Sequence, residues 1–191
     1  MHFEVDFANF APKDLTAITG LSPAMQRDWR RAGHMPSREA GWSSFSLMDV
    51  CAIALRKLIA DAGLGPAFAN ILLDGDNGRQ LVASVHWWAL EAQDVEDWLA
   101  DTDEALASEL TAIDSEDHFG LINEITGIDP ARRLRAITID PIAGVINTDG
   151  IDADLGQEAI EFVVRLDVVG RRISARAGRS LVTSVRVVDR D

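Results

Sequence analysis

Arg27, Arg30 and Arg31 are the residues in this chain best suited to meet an anion: three guanidinium groups lie within five positions. On a helix they stand at i, i+3 and i+4, which places them on one face. A guanidinium can bridge a phosphate or fork onto the major-groove edge of guanine. The surrounding stretch, LSPAMQRDWRRAGHMP (21–36), predicts the helix that such a face needs. Ser22 supplies an N-cap, Pro23 occupies the first turn and Gly33 ends the helix. Leu21, Met25 and Trp29, spaced by four, form the opposite face and are expected to bind the helix to its neighbours. The free amides beside Ser22 are a further seat for a phosphate. The plainer reading is a solvated or salt-bridged face, with Asp28 and Glu39 as local partners.

Other chemistry is thinly supported. His2, His34, His86 and His118 are scattered, and the one cysteine, Cys51, excludes an internal disulfide framework and any multi-cysteine metal site. Cys51 reads as a small buried hydrophobe of a helix. No phosphate loop, dinucleotide fingerprint or nucleophile elbow occurs, so neither enzymatic activity nor a cofactor is expected. QLVASVHWW (80–88) suits a strand, which would point Trp87 and Trp88 to opposite faces: core packing plus a domain or dimer contact, or a small-molecule pocket beside His86. Arg132, Arg133 and Arg135 read as a helix-end charge pattern. Asp94, Glu96, Asp97, Asp101, Asp103 and Glu104 read as a solubilising helix face.

The charge is unevenly spread. The net charge is −13, yet residues 1–65 hold seven Lys+Arg and seven Asp+Glu, while residues 66–191 hold eleven Arg and 24 acids. Nucleic-acid binding favours a basic surface, so any DNA contact has to be local to one face of the neutral head. With 47% apolar and 26% charged residues the chain is globular. No apolar run approaches the roughly 20 residues of a membrane span. The acidic N-terminal stretch MHFEVDFANF lacks the character of a secretory signal, and a cytoplasmic location is expected.

The elements that would position these residues follow from caps and periodicity. HFEVDF (2–7) alternates and predicts a short strand. Pro12 opens a first helix that Gly20 stops, and the arginine helix follows, giving the outline of a helix-turn-helix. MPSREAGWSSF (35–45) is a polar loop long enough for a small hairpin, a wing. Ser46 caps a third helix, LMDVCAIALRKLIADAG, with Val50, Ile53, Ala54, Leu58 and Ile59 at helical spacing. GLGP (63–66) marks a boundary between two parts, 1–66 and 67–191. Beyond it, FANILL extends the helices, DGDNGR reads as a turn cluster, and residues 91–110 as one or two acidic amphipathic helices. LRAITIDPIAGVINT (134–148) predicts two strands broken at Asp140-Pro141, EFVVRL a strand, and SLVTSVRVV a closing strand. DVVGRRISARAG is read as a helix capped by Asp167 and Gly178, with Val and Ile making a strand nearly as good a choice. The fold class expected is α+β.

Residues 10–66 resemble the DNA-binding domain of MerR-type transcription regulators. T-G-L-S-P-A-M-Q-R-D-W-R-R-A-G-H-M-P, G-W-S-S-F-S-L-M-D-V and D-A-G-L-G run in register with that domain's pattern, without insertion from Gly20 to Pro36 or from Gly41 to Leu64. The resemblance implies a winged helix-turn-helix whose second helix lies in the major groove while the wing grips the backbone. It sets Arg27 on the family's helix arginine, Arg31 on the basic residue of its E-R pair and Trp42 on the wing aromatic. Arg30 replaces an acid. Asp28 replaces an aromatic, and Gln26 a core leucine, from where it would reach an adenine. Ser43 replaces the wing arginine that would touch phosphate, leaving Arg38 as substitute. The long dimerising helix and the sensor cysteines of typical family members are missing, so the resemblance carries no metal sensing.

The DNA-binding residues expected are therefore Ser22, Gln26, Arg27, Arg30, Arg31, Arg38, Trp42 and Ser43. The function expected is a sequence-specific regulator: a MerR-like winged head, then an acidic α+β domain of unassigned fold for effector, dimer or partner binding. The partners implied are double-stranded DNA, a second copy of the chain and a protein met through the acidic part, with no membrane. Two alternatives stand beside it. One is a phage-type DNA-processing adaptor, since excisionases and small terminase subunits also carry MerR-like heads. The other is a protein-interaction module that retains the winged fold.

Overall fold

The first strand, β1 (His2–Phe7), does not stay within the head: it pairs antiparallel with the last strand, β5 (Val182–Val188). The computed structural model describes residues 2–35, 44–93, 115–126, 128, 133–140, 145–147 and 162–188. The β1–β5 register runs from His2↔Val188 to Phe7↔Val182, with an irregularity between Asp6 and Phe7, and the backbone bond from Ala8 N–H to Leu181 O (2.9 Å) continues it. Asp6 accepts from Ser184 Oγ at 2.7 Å and Arg186 at 3.0 Å on the exposed side.

Three helices of the head follow as their caps dictate. In α1 (Pro12–Thr19), the Asp14 carboxylate accepts the Ala11 N–H at 2.9 Å, and Gly20 ends the helix at φ 74°. In α2 (Pro23–Arg31), Ser22 Oγ accepts the Met25 N–H at 3.2 Å. In α3 (Leu47–Ile59), Ser46 and Asp49 cap reciprocally at 3.1 and 2.9 Å, satisfying two amides that the helix itself leaves unpaired. Phe10 and Phe45 exchange two backbone bonds of 2.8 Å, framing the base of the loop that follows α2. Residues 36–43 of that loop, expected to form the wing, lie outside the described residues.

After α3 the chain makes one π-helical turn (Ala60–Leu64) and kinks at Gly63, φ 95°, into α4 (Gly65–Leu73). The next helix, α5 (Gly75–Glu91), corrects two expectations. DGDNGR is not a turn cluster: only Asp74 lies outside a helix, and Gly75 begins the new one. QLVASVHWW is helix, not strand. Leu81, Val82, Ser84, Val85, His86, Trp87, Ala89 and Leu90 are all buried, so the helix is covered nearly all round. An apolar run of this kind has no helical stripe, and its pattern does not separate a buried helix from a strand.

Then come α6 (Ser115–Thr126), β2 (Ala136–Asp140), β3 (Val145–Asn147), β4 (Phe162–Arg165) and α7 (Leu166–Ala177). The three strands form an antiparallel sheet in the order β3-β2-β4. The expected strand pair at 134–148 is present in these segments, and the fold is mixed helix and small sheets, compatible with α+β. The expected acidic helices after Gln93 lie outside the described residues. Helix α7 is capped at its end by Gly178 (φ 65°) as expected, but the residue before its first turn is Arg165, not Asp167. Asp167 sits inside the first turn because its carboxylate is claimed there. It accepts from Arg165, Arg135 and the Val168 N–H at 2.7, 3.1 and 2.9 Å, and the Arg165 bonds hold its pKa down at about 2 against the cost of burial.

The core is continuous across residue 66. Phe10, Leu15, Ile18, Leu21 and Leu55 of the head belong to the same buried cluster as Val85, Leu90, Ile137 and Ile173. Helices α5 and α7 make the most extensive helix–helix contact among the described residues, and α1 and α3 both rest on α7. Two arginines close the seam: Arg176 Nη1 donates to the Ile18 carbonyl at 3.2 Å, and Arg179 lies 4.7 Å above the Phe10 ring. Gln93 bonds to both sides of the turn before β5, donating to Arg179 O at 3.1 Å and accepting the Leu181 N–H at 2.8 Å.

Candidate nucleic-acid interface

Helix α2 is held from behind, which leaves its arginines outward. Leu21 and Trp29 are buried, and Met25 is half-buried against the same core. Gly33, at φ 73°, turns the chain so that the His34 N–H reaches Trp29 O at 2.8 Å. The His34 ring packs edge-on to Trp29, with centroids 6.3 Å apart, and its Nδ1 lies 2.6 Å from the Asn70 amide of α4. The expected Leu21-Met25-Trp29 face is thus the inner one.

Gln26 belongs to that inner face as well, which corrects its expected role as a base reader. Its side chain is 3% exposed, and Nε2 donates among Pro12 O (3.0 Å), Thr16 Oγ1 (2.8 Å) and Leu21 O (3.0 Å). The amide does what a core leucine could not: it ties α1 to the turn carbonyl leading into α2, and it has no donor left for a base. Replacing it removes the buried amide's bonds to Pro12 O, Thr16 Oγ1 and Leu21 O together and leaves the Leu21 carbonyl to the Thr16 hydroxyl alone, at 3.1 Å. Gln26→Ala is expected to cost about 2 kcal/mol of unfolding free energy, read by urea denaturation.

Arg27, Asp28, Arg30 and Arg31 are exposed. Arg27 has no partner among the described residues. Arg30 lies 5.8 Å from the centroid of Phe45, at the root of the following loop, which steers its guanidinium toward that side of the helix. Arg31 approaches Asp28 at 3.9 Å with both side chains exposed, a pair of small worth that an incoming phosphate can displace. Ser22 keeps its hydroxyl on the Met25 amide, so it stabilises the helix end that faces outward. Arg38, Trp42 and Ser43 lie outside the described residues.

The remaining candidates resolve into structure. Trp87 and Trp88 lie on one helix with rings 4.9 Å apart and edge to face. Their indole N–H groups donate to Asn123 Oδ1 (2.8 Å) and Leu134 O (3.0 Å). Arg133 lies 3.9 Å over the Trp87 ring, and Arg135 is bound to Asp167, so these two arginines of the basic cluster serve packing. Cys51 is buried, and burial pushes its thiol far above the ordinary range, away from a nucleophilic thiolate. Among the described residues no group of three His, Cys, Asp or Glu side chains is arranged to hold a metal. No described helix is long and apolar enough to cross a membrane.

Compared with protein-family profiles, with curated proteins and with solved structures, the chain finds no match.

Proposed function

We propose that the chain is a sequence-specific DNA-binding transcription regulator of MerR-like type, with residues 1–66 as its DNA-binding segment. The observation that supports this is the exposed Arg27-Arg30-Arg31 face on a short helix whose whole opposite side, Gln26 included, is anchored. A rigidly held helix can enter a major groove without first being ordered, and its arginines can take phosphates or guanine edges. Arg38, Trp42 and Ser43 extend the contact along the loop after α2. Because one short helix in one groove gives limited affinity, the chain acts as a homodimer on two half-sites. The acidic remainder repels nonspecific phosphate contact and presents a surface for a protein partner. The chain acts in the cytoplasm and is not an enzyme.

The test uses a duplex selected from a random library on the full chain, with binding followed by fluorescence anisotropy. Arg27→Ala combined with Arg31→Ala is expected to weaken binding roughly 30-fold at ~100 mM salt and to reduce the salt slope by about 2. Both positions are exposed, so the melting temperature stays unchanged. Binding unaltered by the double substitution would overturn the reading.

A further inference from the structure

A cleft lies at the seam where α1 and α3 of the head meet α7. Its floor is apolar, formed by Ile18, Ala54, Leu58, Val169 and Ile173. The cavity holds about 70 Å³, room for roughly five water molecules. Its rim carries Lys57, Arg172 and Arg176 against one acid, Asp61. In a chain of net charge −13 this is a local excess of positive charge over a greasy floor.

The three cations are not equally engaged. Lys57 Nζ is 2.5 Å from Asp61 Oδ2. Arg176 donates to the Ile18 carbonyl, which closes the α1 side of the rim. Arg172 is exposed and has no partner among the described residues. A ligand that satisfied this rim would be an anion, and one that satisfied the floor would be a hydrocarbon of a few carbons. A phosphate fills the first condition only, because its hydrated oxygens would face five apolar side chains. An amine meets the wrong charge.

We propose that this cleft binds a small aliphatic carboxylate, with its hydrocarbon end on Ile18, Leu58 and Ile173 and its carboxylate on Arg172. The guanidinium takes the two oxygens as a planar fork, while Lys57 on the other wall stays on Asp61. This site is separate from the arginine face of α2 and stands whether or not that face meets DNA.

The test is a methyl NMR titration of the full chain with isovalerate and butyrate, with isovaleramide and inorganic phosphate as controls. Saturable shifts are expected at the methyls of Ile18, Leu58, Val169 and Ile173, with a millimolar Kd. Arg172→Gln, at an exposed position, weakens binding roughly tenfold. Ala54→Leu fills the floor without changing charge and abolishes it. Should Ala54→Leu fail to fold, Arg172→Gln decides. The proposal is overturned if the shifts do not saturate, if the amide binds as well as the acid, if phosphate binds as well as isovalerate, or if Arg172→Gln leaves the titration unchanged.

Discussion

Gly170→Ala is expected to destabilise the protein by about 3 kcal/mol, lowering its melting temperature by about 10 °C, although the same change in a helix interior ordinarily stabilises by ~1 kcal/mol. The reversal comes from the crossing of α5 and α7. A Cβ on Gly170 would stand 2.6 Å from Trp88 Cβ, 2.6 Å from Val85 O and 2.7 Å from Ala89 N. Two of those atoms are backbone, so relief requires the helices to separate, and the most extensive contact of the core goes with them. Gly120 is the internal control. It also lies inside a helix, α6, but nothing is within 4 Å of its would-be Cβ. Gly120→Ala should therefore raise stability by ~0.5–1 kcal/mol. Opposite signs for one chemical change, read by thermal melts of both variants, isolate the packing term. Equal effects at the two positions would remove the close crossing as the explanation.

The second large effect is one of pH, and it comes from His86. The imidazole is 4% exposed, lies edge-on to Phe7 of β1 with centroids 4.9 Å apart, and its Nε2 has no hydrogen-bond partner among the described residues. Burial without a compensating acid disfavours the charged ring and lowers its pKa to about 4. Between pH 4 and pH 6.5 the unfolded chain thus binds a proton that the folded chain refuses, so stability rises with pH across that window. The full contribution is present above pH 6.5. On acidification about 3 kcal/mol is lost by pH 4, at ~1.4 kcal/mol per pH unit. The carboxylates of this acidic chain titrate nearby, so the quantity to measure is the difference between the native chain and His86→Leu. That difference in unfolding free energy should move in favour of His86→Leu as pH falls from 6.5 to 4. A pH-independent difference would show that His86 binds its proton equally well in the folded and unfolded chains.

These two effects lie where the sequence is least readable. Caps were legible because their partners are three residues away: Ser22 with Met25, Ser46 with Asp49, and Gly20 or Gly178 as a stop. The outward arginine face and the inward Leu21, Met25 and Trp29 were legible for the same reason, since i, i+3 and i+4 spacing decides which side chains share a face. Gln26 was not. Whether a glutamine between two arginines points at DNA or at α1 depends on the Pro12 and Leu21 carbonyls, which no pattern within α2 reveals. The run 80–88 reads as a strand in the sequence because burial from every side erases the stripe that marks an amphipathic helix.

What the amino-acid order settled is local: helix ends, the basic face, a neutral head before an acidic remainder, and strands flanked by turns. Neighbouring residues interact however the rest of the chain is arranged, so these features need no fold to exist. The pairing of β1 with β5, the glycine contact between α5 and α7, the buried imidazole and the cleft between α1, α3 and α7 were decided by tertiary structure alone. Each depends on side chains brought together from distant segments, and burial is a property of the surroundings, not of the residue buried. Lys57 and Arg172 carry no motif between them; only the packing of α3 against α7 makes them two walls of one site.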